Sequence, residues 1–401
     1  MLTAWSNADP ATVGVDAKQL ADAIRFHDEH ELFTQSYGGA LFVLYKGKII
    51  GESYVTGRNG GPQPWTAATC NDMKSSTKSV FGTAVGIFLE EFKDQISLDS
   101  PLVGESAGRS LIPQIWDQPL TDERKKKIKV KHALSMTSGH ASPEPWLAPS
   151  MRVHHKGYTG PFQMHEYCFG WWGFENVPNQ HTLLFEPGHD FNYSNFGLEL
   201  LALAMRNISG EEISPYLYQR LLKQIGFSKE IIDNHYSHMP YLDEKELNFG
   251  DKAGWGRGGG KDCNAYGADK STSEYGTNTI VGSTFRCTAR DFARLGYLWL
   301  NKGSWGGTQL IPAGWIEQAT TRFVQTDGSS PANYGYTFWL FDDWEGVPPD
   351  TFASLGHNVN DCYVVPSKEL VIVRQGNDNH GRESRDEFVK SLIAKIVASL
   401  P

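Results

Sequence analysis

The strand-like segments of this 401-residue chain cluster near its two ends. Residues 40–45 and 48–54 are apolar runs on either side of a Lys46-Gly47 corner, a pattern typical of a β-hairpin. The region between the ends, residues 96–284, has short helical patterns, long loops and many Gly, Pro and Trp. Three more strand-like runs follow near the C-terminus, at 334–341, 362–365 and 370–374. The simplest arrangement is one sheet built from both ends, with the middle region inserted.

The predicted helices favour the same division of the chain. We expect residues 1–95 and 285–401 to form one α/β domain built from both termini. Residues 96–284 are expected to form a mostly helical inserted domain. Apolar side chains recur at helical spacing in three segments, at 16–31, 75–92 and 384–399.

The charge and hydropathy of the chain argue against two classes of partner. The formal net charge is −9 and the pI is about 5.8, whereas nucleic-acid binding needs a basic surface. The basic run at 124–127 is interpreted as a solvated surface. No stretch approaches the roughly 18 apolar residues of a transmembrane helix, and the N-terminal residues lack a signal-peptide pattern. We therefore expect a cytoplasmic protein that binds neither nucleic acid nor membrane, with its oligomeric state left open.

The cysteines and histidines give no metal signature. Seven histidines lie between His132 and His189, but their spacing matches no zinc motif. The five cysteines are scattered and form no C-x-x-C pair, a pattern typical of reduced thiols in a cytosolic protein. They are Cys70, Cys168, Cys263, Cys287 and Cys362.

Two predicted loops, at 140–182 and 247–282, are long for simple connections, and we expect them to shape a pocket. The first loop is rich in histidine and aromatic residues. Trp171 and Trp172 are candidates for lining an apolar pocket there, and ordinary core packing is the alternative.

Ser75 and Lys78 form the first candidate catalytic pair. Their spacing of three at the start of a predicted helix puts both side chains on one face, one turn apart. A serine hydroxyl needs a base to become nucleophilic, and a lysine can be that base when burial disfavours its ammonium form. The free N–H groups at a helix N-terminus also favour an oxyanion nearby. Alone, the Ser-x-x-Lys pattern is weak, because chance produces it about once or twice in a chain of this size.

Tyr193 and Asn195 form the second candidate group. A tyrosine near a lysine ionises more easily and can carry a proton between nucleophile and leaving group. The amide of Asn195 can hold the lysine or a substrate carbonyl. In isolation, the pattern is also that of a tyrosine in a loop before a helix.

Together these motifs resemble the class C branch of the β-lactamase and penicillin-binding-protein superfamily. That branch pairs Ser-x-x-Lys with Tyr-x-Asn, whereas the related class A enzymes use Ser-Asp-Asn. The branch includes D-alanyl-D-alanine carboxypeptidases, carboxylesterases and 6-aminohexanoate-dimer hydrolases. The resemblance runs in order from about residue 38 to 375 and rests on five segments, at 73–91, 96–102, 130–140, 185–210 and 280–303.

The resemblance implies a β-lactamase/transpeptidase-like α/β (α+β) fold. Its central sheet is mainly antiparallel and flanked by helices, with a mostly helical domain inserted. The resemblance also implies that no cofactor and no metal are needed. It assigns Ser75 as nucleophile, Lys78 as activator and Tyr193 as proton carrier.

The third motif of the family, Lys/His-x-Gly, is matched only in part. The best candidate is the segment 356–360, in which His357 takes the basic position. The resemblance implies that the N–H of Asn360 completes an oxyanion hole with the N–H of Ser75. Val359 stands where glycine is usual, and glycine there allows close backbone approach.

We expect a serine hydrolase that cleaves a small-molecule ester or amide through an acyl-enzyme on Ser75. Three alternatives use the same fold: β-lactamase or D-alanyl-D-alanine carboxypeptidase activity, acyl transfer to an alcohol or amine, and an idle binding protein. The intact set of Ser, Lys, Tyr and Asn argues against the idle protein, and the altered third motif argues for it. The missing export signal favours a cytosolic esterase or amidase over a cell-wall or antibiotic enzyme.

Overall fold

The computed structural model describes most of the two chain ends and parts of the region between them. Trp171 and Trp172, with nearly all of the loops predicted at 140–182 and 247–282, lie outside the described residues. The described residues are 5–30, 38–57, 64–69, 71–103, 105–106, 109–112, 122–140, 182–211, 213–227, 254–255, 281–282, 285–324, 329–330, 332–376 and 382–401.

The helices and strands of these residues alternate along the chain. The strands are β1 (Gly39–Tyr45), β2 (Lys48–Val55), β3 (Asn71–Asp72), β4 (Glu105–Ser106), β5 (Arg109–Ser110), β6 (Gly254–Trp255), β7 (Phe285–Cys287), β8 (Ser304–Trp305), β9 (Thr308–Gln309), β10 (Trp339–Leu340), β11 (Phe352–Ser354), β12 (Asp361–Val365) and β13 (Leu370–Gly376). The helices are α1 (Ala17–Glu29), α2 (Thr77–Glu91), α3 (Val130–Leu134), α4 (Phe196–Ser209), α5 (Ile213–Leu217), α6 (Ala289–Leu300), α7 (Trp315–Ala319) and α8 (Arg382–Ala398). Short 3₁₀ turns lie at Pro10–Val13, Lys74–Ser76, Glu123–Lys127 and Pro366–Lys368, and a π-helical turn lies at Tyr218–Leu222.

The largest sheet in the described residues joins the two ends of the chain. Its strands are antiparallel, in the order β10-β11-β12-β13-β1-β2. The N-terminal strand β1 pairs with the C-terminal strand β13 along its whole length, from Gly39 opposite Gly376 to Tyr45 opposite Leu370. This confirms the sequence prediction of a mainly antiparallel sheet built from both termini.

Helices cover both faces of this sheet, which explains why β1 is apolar at every position. All seven residues of β1 are buried, and successive side chains of a strand point to opposite faces. Phe42 packs into a core with α2 and α6, whereas Val43 packs into a second core with α1 and α8. The rings of Phe26 on α1 and Phe388 on α8 stack with centroids 5.4 Å apart.

The prediction of one strand over residues 334–341 was wrong. Only Trp339–Leu340 forms a strand, and a tight turn precedes it. The turn places Thr337 at φ 67°, outside the extended region that a strand requires. Contacts with the start of α2 account for the turn, because the Ser79 hydroxyl donates to the Thr337 carbonyl at 2.6 Å.

The described parts of residues 96–284 contain three helices and three short strands. Leu134 and Leu201 from this region belong to the same core as Phe81 of α2, so apolar packing continues between the two parts. The division into two domains stays a prediction. The basic run at 124–127 is a solvated surface at Arg124, Lys126 and Lys127, as predicted, but Lys125 of the same run is buried.

No helix in the described ranges combines the length and the apolar character that crossing a bilayer requires.

Close packing of α6 on the sheet generates the first testable prediction. A Cβ on Gly296 would lie 2.5 Å from Val371 Cγ1 and 2.6 Å from Cys362 Sγ, so we expect Gly296→Ala to destabilise the fold. Overpacking of this kind costs about 1–3 kcal/mol, which thermal unfolding measures as a lower Tm.

The control is a Cys362→Ala variant, which removes the sulfur atom that the new methyl group would meet. The double variant should lose less stability than the two single variants added together. Strictly additive losses would show that the helix does not depend on a glycine at this contact.

Candidate active site

The segment that carries Ser75 lies between the large sheet and a small antiparallel sheet of order β3-β7-β6. It runs from β3 through the Lys74–Ser76 turn into α2. The Met73 N–H donates to the Phe285 carbonyl at 2.8 Å, and the Phe285 N–H donates to the Thr77 hydroxyl at 3.0 Å. The Ser76 hydroxyl donates to the Asn360 carbonyl at 2.5 Å. Strand β7 and Asn360, the residue just before β12, therefore hold the turn on both sides of Ser75.

Lys78 lies one helical turn after Ser75, as the spacing predicts. Its Nζ lies 3.2 Å from Ser75 Oγ and 2.7 Å from the carbonyl oxygen of Gly282. The side chain is only 1% exposed. Within the described residues no carboxylate lies in ion-pair distance of Lys78, so its polar partners are a hydroxyl and a carbonyl. The Lys78 amine therefore lies within hydrogen-bond reach of the Ser75 hydroxyl.

Tyr193 lies just before α4 and faces the same lysine. Lys78 Nζ is 4.7 Å from the centroid of the Tyr193 ring. The ring stacks on Trp339 with centroids 5.9 Å apart, and Tyr334 meets it edge-on at 6.4 Å. The structure thus brings together Ser75, Lys78 and Tyr193, which are 118 residues apart from first to last in the sequence. Their catalytic roles stay predictions.

Asn195 lies beside the backbone that holds Lys78. A Cβ on Gly282 would lie 2.6 Å from Asn195 Oδ1, so this approach requires a glycine at position 282. Asn195 Oδ1 is buried and has no hydrogen-bond partner in the described part of the chain. An unpaired buried acceptor is costly, and a donor on a bound molecule would remove that cost.

The side chain of Asn360 is bonded to β3, to β13 and to its own turn. Its Nδ2 donates to the carbonyls of His357 and Gly376 at 2.7 and 3.0 Å. Its Oδ1 accepts from Asn71 Nδ2 at 2.7 Å and from the Gly376 N–H at 3.1 Å. The Asn360 N–H donates to the Gly356 carbonyl at 3.3 Å. To donate to an oxyanion, as predicted, the Asn360 N–H has to break its hydrogen bond with the Gly356 carbonyl.

The turn before Asn360 is strained at the position where the family has glycine. Val359 has φ 59° and Asn358 has φ 63°, in the left-handed region that β-branched residues avoid. The Val359 side chain is nevertheless fully buried, in the core formed with α1 and α8. His357 is exposed in the same turn, and its predicted role at the site stays a prediction.

Sequence reasoning missed Glu199, a half-buried carboxyl beside the site. Glu199 Oε1 accepts hydrogen bonds from the N–H groups of Val281 and Gly282, at 3.0 and 3.2 Å. Loss of hydration raises its pKa to about 7, while these two hydrogen bonds and the charge on Lys78 act in the opposite direction. The signal was present in the sequence, because Glu199 is the one charged residue in an otherwise apolar run from Phe196 to Met205.

Sequence reasoning also missed the aromatic cluster around Tyr193. Phe191 meets Tyr334 edge-on at 5.5 Å and Trp339 at 6.2 Å. Burial raises the pKa of Tyr334 well above its usual value, so this phenol stays protonated at neutral pH. No periodicity marks these residues in the sequence, since a turn rather than a regular strand brings them together.

Among the described residues, no group of three His, Cys, Asp or Glu side chains is placed to hold a metal ion. Cys287 and Cys362 are both buried.

The comparison with known families agrees with this geometry. The beta-lactamase family model matches residues 29–394. The chain belongs to the beta-lactamase family. Membership places it, at the level of the superfamily, among serine hydrolases with this fold. No curated protein sequence matches the chain significantly.

Solved structures with the same fold carry several different names. A candidate 6-aminohexanoate-dimer hydrolase from Bacillus anthracis is 18% identical with a TM-score of 0.64, covering 99% of this chain and 89% of that one. A penicillin-binding protein homologue from Caulobacter crescentus is 17% identical with a TM-score of 0.61, covering 96% and 99%. EstCE1, titled a hydrolase with promiscuous acyltransferase activity, is 15% identical with a TM-score of 0.60, covering 96% and 99%. At these identities the likeness shows the β-lactamase/transpeptidase-like fold alone.

The contact between Lys78 and Ser75 generates the second prediction. Lys78→Arg keeps a cation at this position, but a guanidinium does not give up its proton at ordinary pH. We expect labelling of Ser75 by a fluorophosphonate probe to slow by about 10²–10⁴-fold, the usual contribution of a general base.

The matched control is Lys74→Arg, the same exchange at the half-buried lysine one residue before Ser75. It should label at nearly the wild-type rate. Equal labelling of the two variants would show that Lys78 is not the base.

Proposed function

We propose that this protein is a serine hydrolase that cleaves a small-molecule ester or amide through an acyl-enzyme on Ser75. One observation carries the proposal: buried Lys78 Nζ lies 3.2 Å from Ser75 Oγ at the start of a helix. A buried amine in hydrogen-bond reach of a serine hydroxyl is the arrangement that a Ser-Lys nucleophile needs.

Acylation begins with attack of Ser75 Oγ on the carbonyl carbon. Lys78 Nζ accepts the serine proton while the Gly282 carbonyl fixes the direction of its other N–H bonds. The oxyanion forms near the first turn of α2, whose N–H groups have no intrahelical acceptors. The N–H of Ser75 is one donor in this proposal, and the N–H of Asn360 becomes the second once it leaves Gly356.

Tyr193 gives its phenolic proton to the leaving alcohol or amine and then recovers a proton from Lys78. The 4.7 Å separation of Lys78 Nζ from the Tyr193 ring keeps the two groups adjacent through these steps. Water then attacks the acyl-enzyme, with the same groups acting in reverse. The steps need neither a metal nor a cofactor.

The substrate class follows from the surroundings of the site. Trp339 and Phe191 extend an apolar surface from the Tyr193 ring, which suits an uncharged acyl chain. One structural neighbour is titled a candidate 6-aminohexanoate-dimer hydrolase, and another is titled a hydrolase with promiscuous acyltransferase activity. We propose the same class here, in the cytoplasm and without a nucleic-acid or membrane partner. Trp171 and Trp172 stay candidates for the pocket wall, and the oligomeric state stays open.

The unpaired amide oxygen of Asn195 favours an amide over an ester. Asn195 Oδ1 needs a donor, and an amide substrate brings an N–H where an ester has none. Asn195→Ala should therefore slow cleavage of a linear amide and of the matching ester to different extents. The loss of rate on the amide should be about ten times the loss on the ester, or more. Steady-state rates on an ester and amide pair with the same acyl group measure this ratio, and equal losses would contradict the assignment.

A substrate comparison tests the proposal as a whole. Purified protein is incubated with p-nitrophenyl butyrate and with nitrocefin, beside Ser75→Ala and Ser76→Ala variants. We expect ester cleavage that disappears in Ser75→Ala, persists in Ser76→Ala and is not accompanied by nitrocefin turnover. Ser76→Ala removes the bond from the Ser76 hydroxyl to the Asn360 carbonyl but keeps Ser75, so cleavage that persists in it separates loss of the nucleophile from disturbance of the turn.

The other outcomes select between the alternatives. Rapid nitrocefin turnover would replace the proposal with a β-lactamase or D-alanyl-D-alanine carboxypeptidase. Faster product formation with an added alcohol or amine would indicate an acyltransferase. A folded protein whose Ser75 takes up no fluorophosphonate would be an idle binding protein.

A further inference from the structure

Glu199 is linked to Lys78 by hydrogen bonds through the backbone of Val281 and Gly282. Its Oε1 accepts from the N–H groups of Val281 and Gly282, at 3.0 and 3.2 Å. The carbonyl of the same Gly282 accepts from Lys78 Nζ at 2.7 Å. The carboxyl therefore holds the short segment 281–282, and that segment provides the backbone acceptor of Lys78.

We propose that Glu199 is a positioning residue that fixes Lys78 through Gly282 and, by its own ionisation, controls how readily Lys78 accepts the proton of Ser75. This inference rests on the proposed function of Lys78 as a base. It adds a residue and a pH response that the Ser, Lys and Tyr motifs do not contain.

Few charged groups of the described residues act on the Glu199 carboxyl. From α2, Lys78 is the one charged side chain in the described residues that acts on the carboxyl. The neighbouring titratable hydroxyl is that of Tyr193, whose ring faces Lys78. On α4 itself the nearest charged residue is Arg206, about two turns away, and residues 281 and 282 carry no charge. Lys78 is therefore the charged group of the described residues that acts on the Glu199 carboxyl, beside burial and the two backbone hydrogen bonds.

The ionisation of Glu199 falls in the working pH range. Its pKa is raised to about 7 by loss of hydration, so the neutral and anionic forms coexist near neutral pH. Because electrostatic coupling is reciprocal, the anion stabilises the ammonium form of Lys78 as much as Lys78 stabilises the anion. As pH rises through about 7, the forming carboxylate therefore opposes the loss of a proton from Lys78.

A glutamine at position 199 keeps the hydrogen bonds of Glu199 but removes its charge. The Oε1 atom of Glu199→Gln can accept the same two N–H groups, but the side chain never ionises. We expect the rising limb of the pH dependence of Ser75 fluorophosphonate labelling to move to lower pH, by about one unit. Glu199→Ala loses the acceptor as well, so its labelling rate at high pH should fall about tenfold or more below that of Glu199→Gln.

Glu211→Gln is the matched control, because Glu211 follows the same helix but pairs with Arg220 at 3.1 Å. Its pH profile should match the wild-type profile. A rising limb in Glu199→Gln that coincides with the wild-type limb would overturn the proposal. So would a labelling rate of Glu199→Ala at high pH equal to that of Glu199→Gln.

A second measurement does not depend on catalysis. Carbon-13 NMR of the lysine Cε atoms, assigned with Lys78→Arg, follows the charge of Lys78 directly. The titration midpoint of Lys78 should be lower in Glu199→Gln than in the wild type, and an unchanged midpoint would contradict the inference. If the wild type fails to label at any pH, the proposed function fails, while this titration still decides the coupling.

Discussion

The burial of Lys78 is the constraint on which the site depends. A lysine amine that is 1% exposed needs polar partners, and here they are Ser75 Oγ, the Gly282 carbonyl and the face of the Tyr193 ring. Each partner comes from a different part of the chain, so the folded molecule is needed to assemble them. These partners are a hydroxyl, a carbonyl and a ring, and none of the described residues places a carboxylate in ion-pair distance of the amine.

The large sheet supplies the rigidity that this arrangement needs. The carbonyl of Asn360, the residue just before β12, accepts a hydrogen bond from the Ser76 hydroxyl, and β7 exchanges hydrogen bonds with the residues on either side of the turn. Gly356 allows the turn before β12 to lie close to Met73, because a Cβ at position 356 would lie 2.2 Å from the Met73 carbonyl oxygen. The nucleophile turn is thus fixed by backbone contacts with elements from the far end of the sequence.

The altered third motif changes the backbone but keeps the connection between strands. Val359 occupies a left-handed conformation that costs on the order of 1–3 kcal/mol, and its buried side chain offsets that cost by packing against the second core. Both the oxygen and the nitrogen of the Asn360 side-chain amide form hydrogen bonds, and these bonds connect β3 and β13 to the turn before β12. The valine therefore belongs to the core of the protein as well as to the rim of the site.

The sequence by itself determined the joining of the two chain ends in one sheet, because apolar strand-like runs need partners, and it placed Ser75 and Lys78 one turn apart. It also identified Tyr193, through a motif whose order along the chain is specific. Only the tertiary structure decided the turn at Thr337, the aromatic surface of Trp339 and the link from Glu199 through Gly282 to Lys78. These depend on contacts between residues as far as 258 positions apart, such as the bond from Ser79 to Thr337, and local periodicity carries no information about such distances.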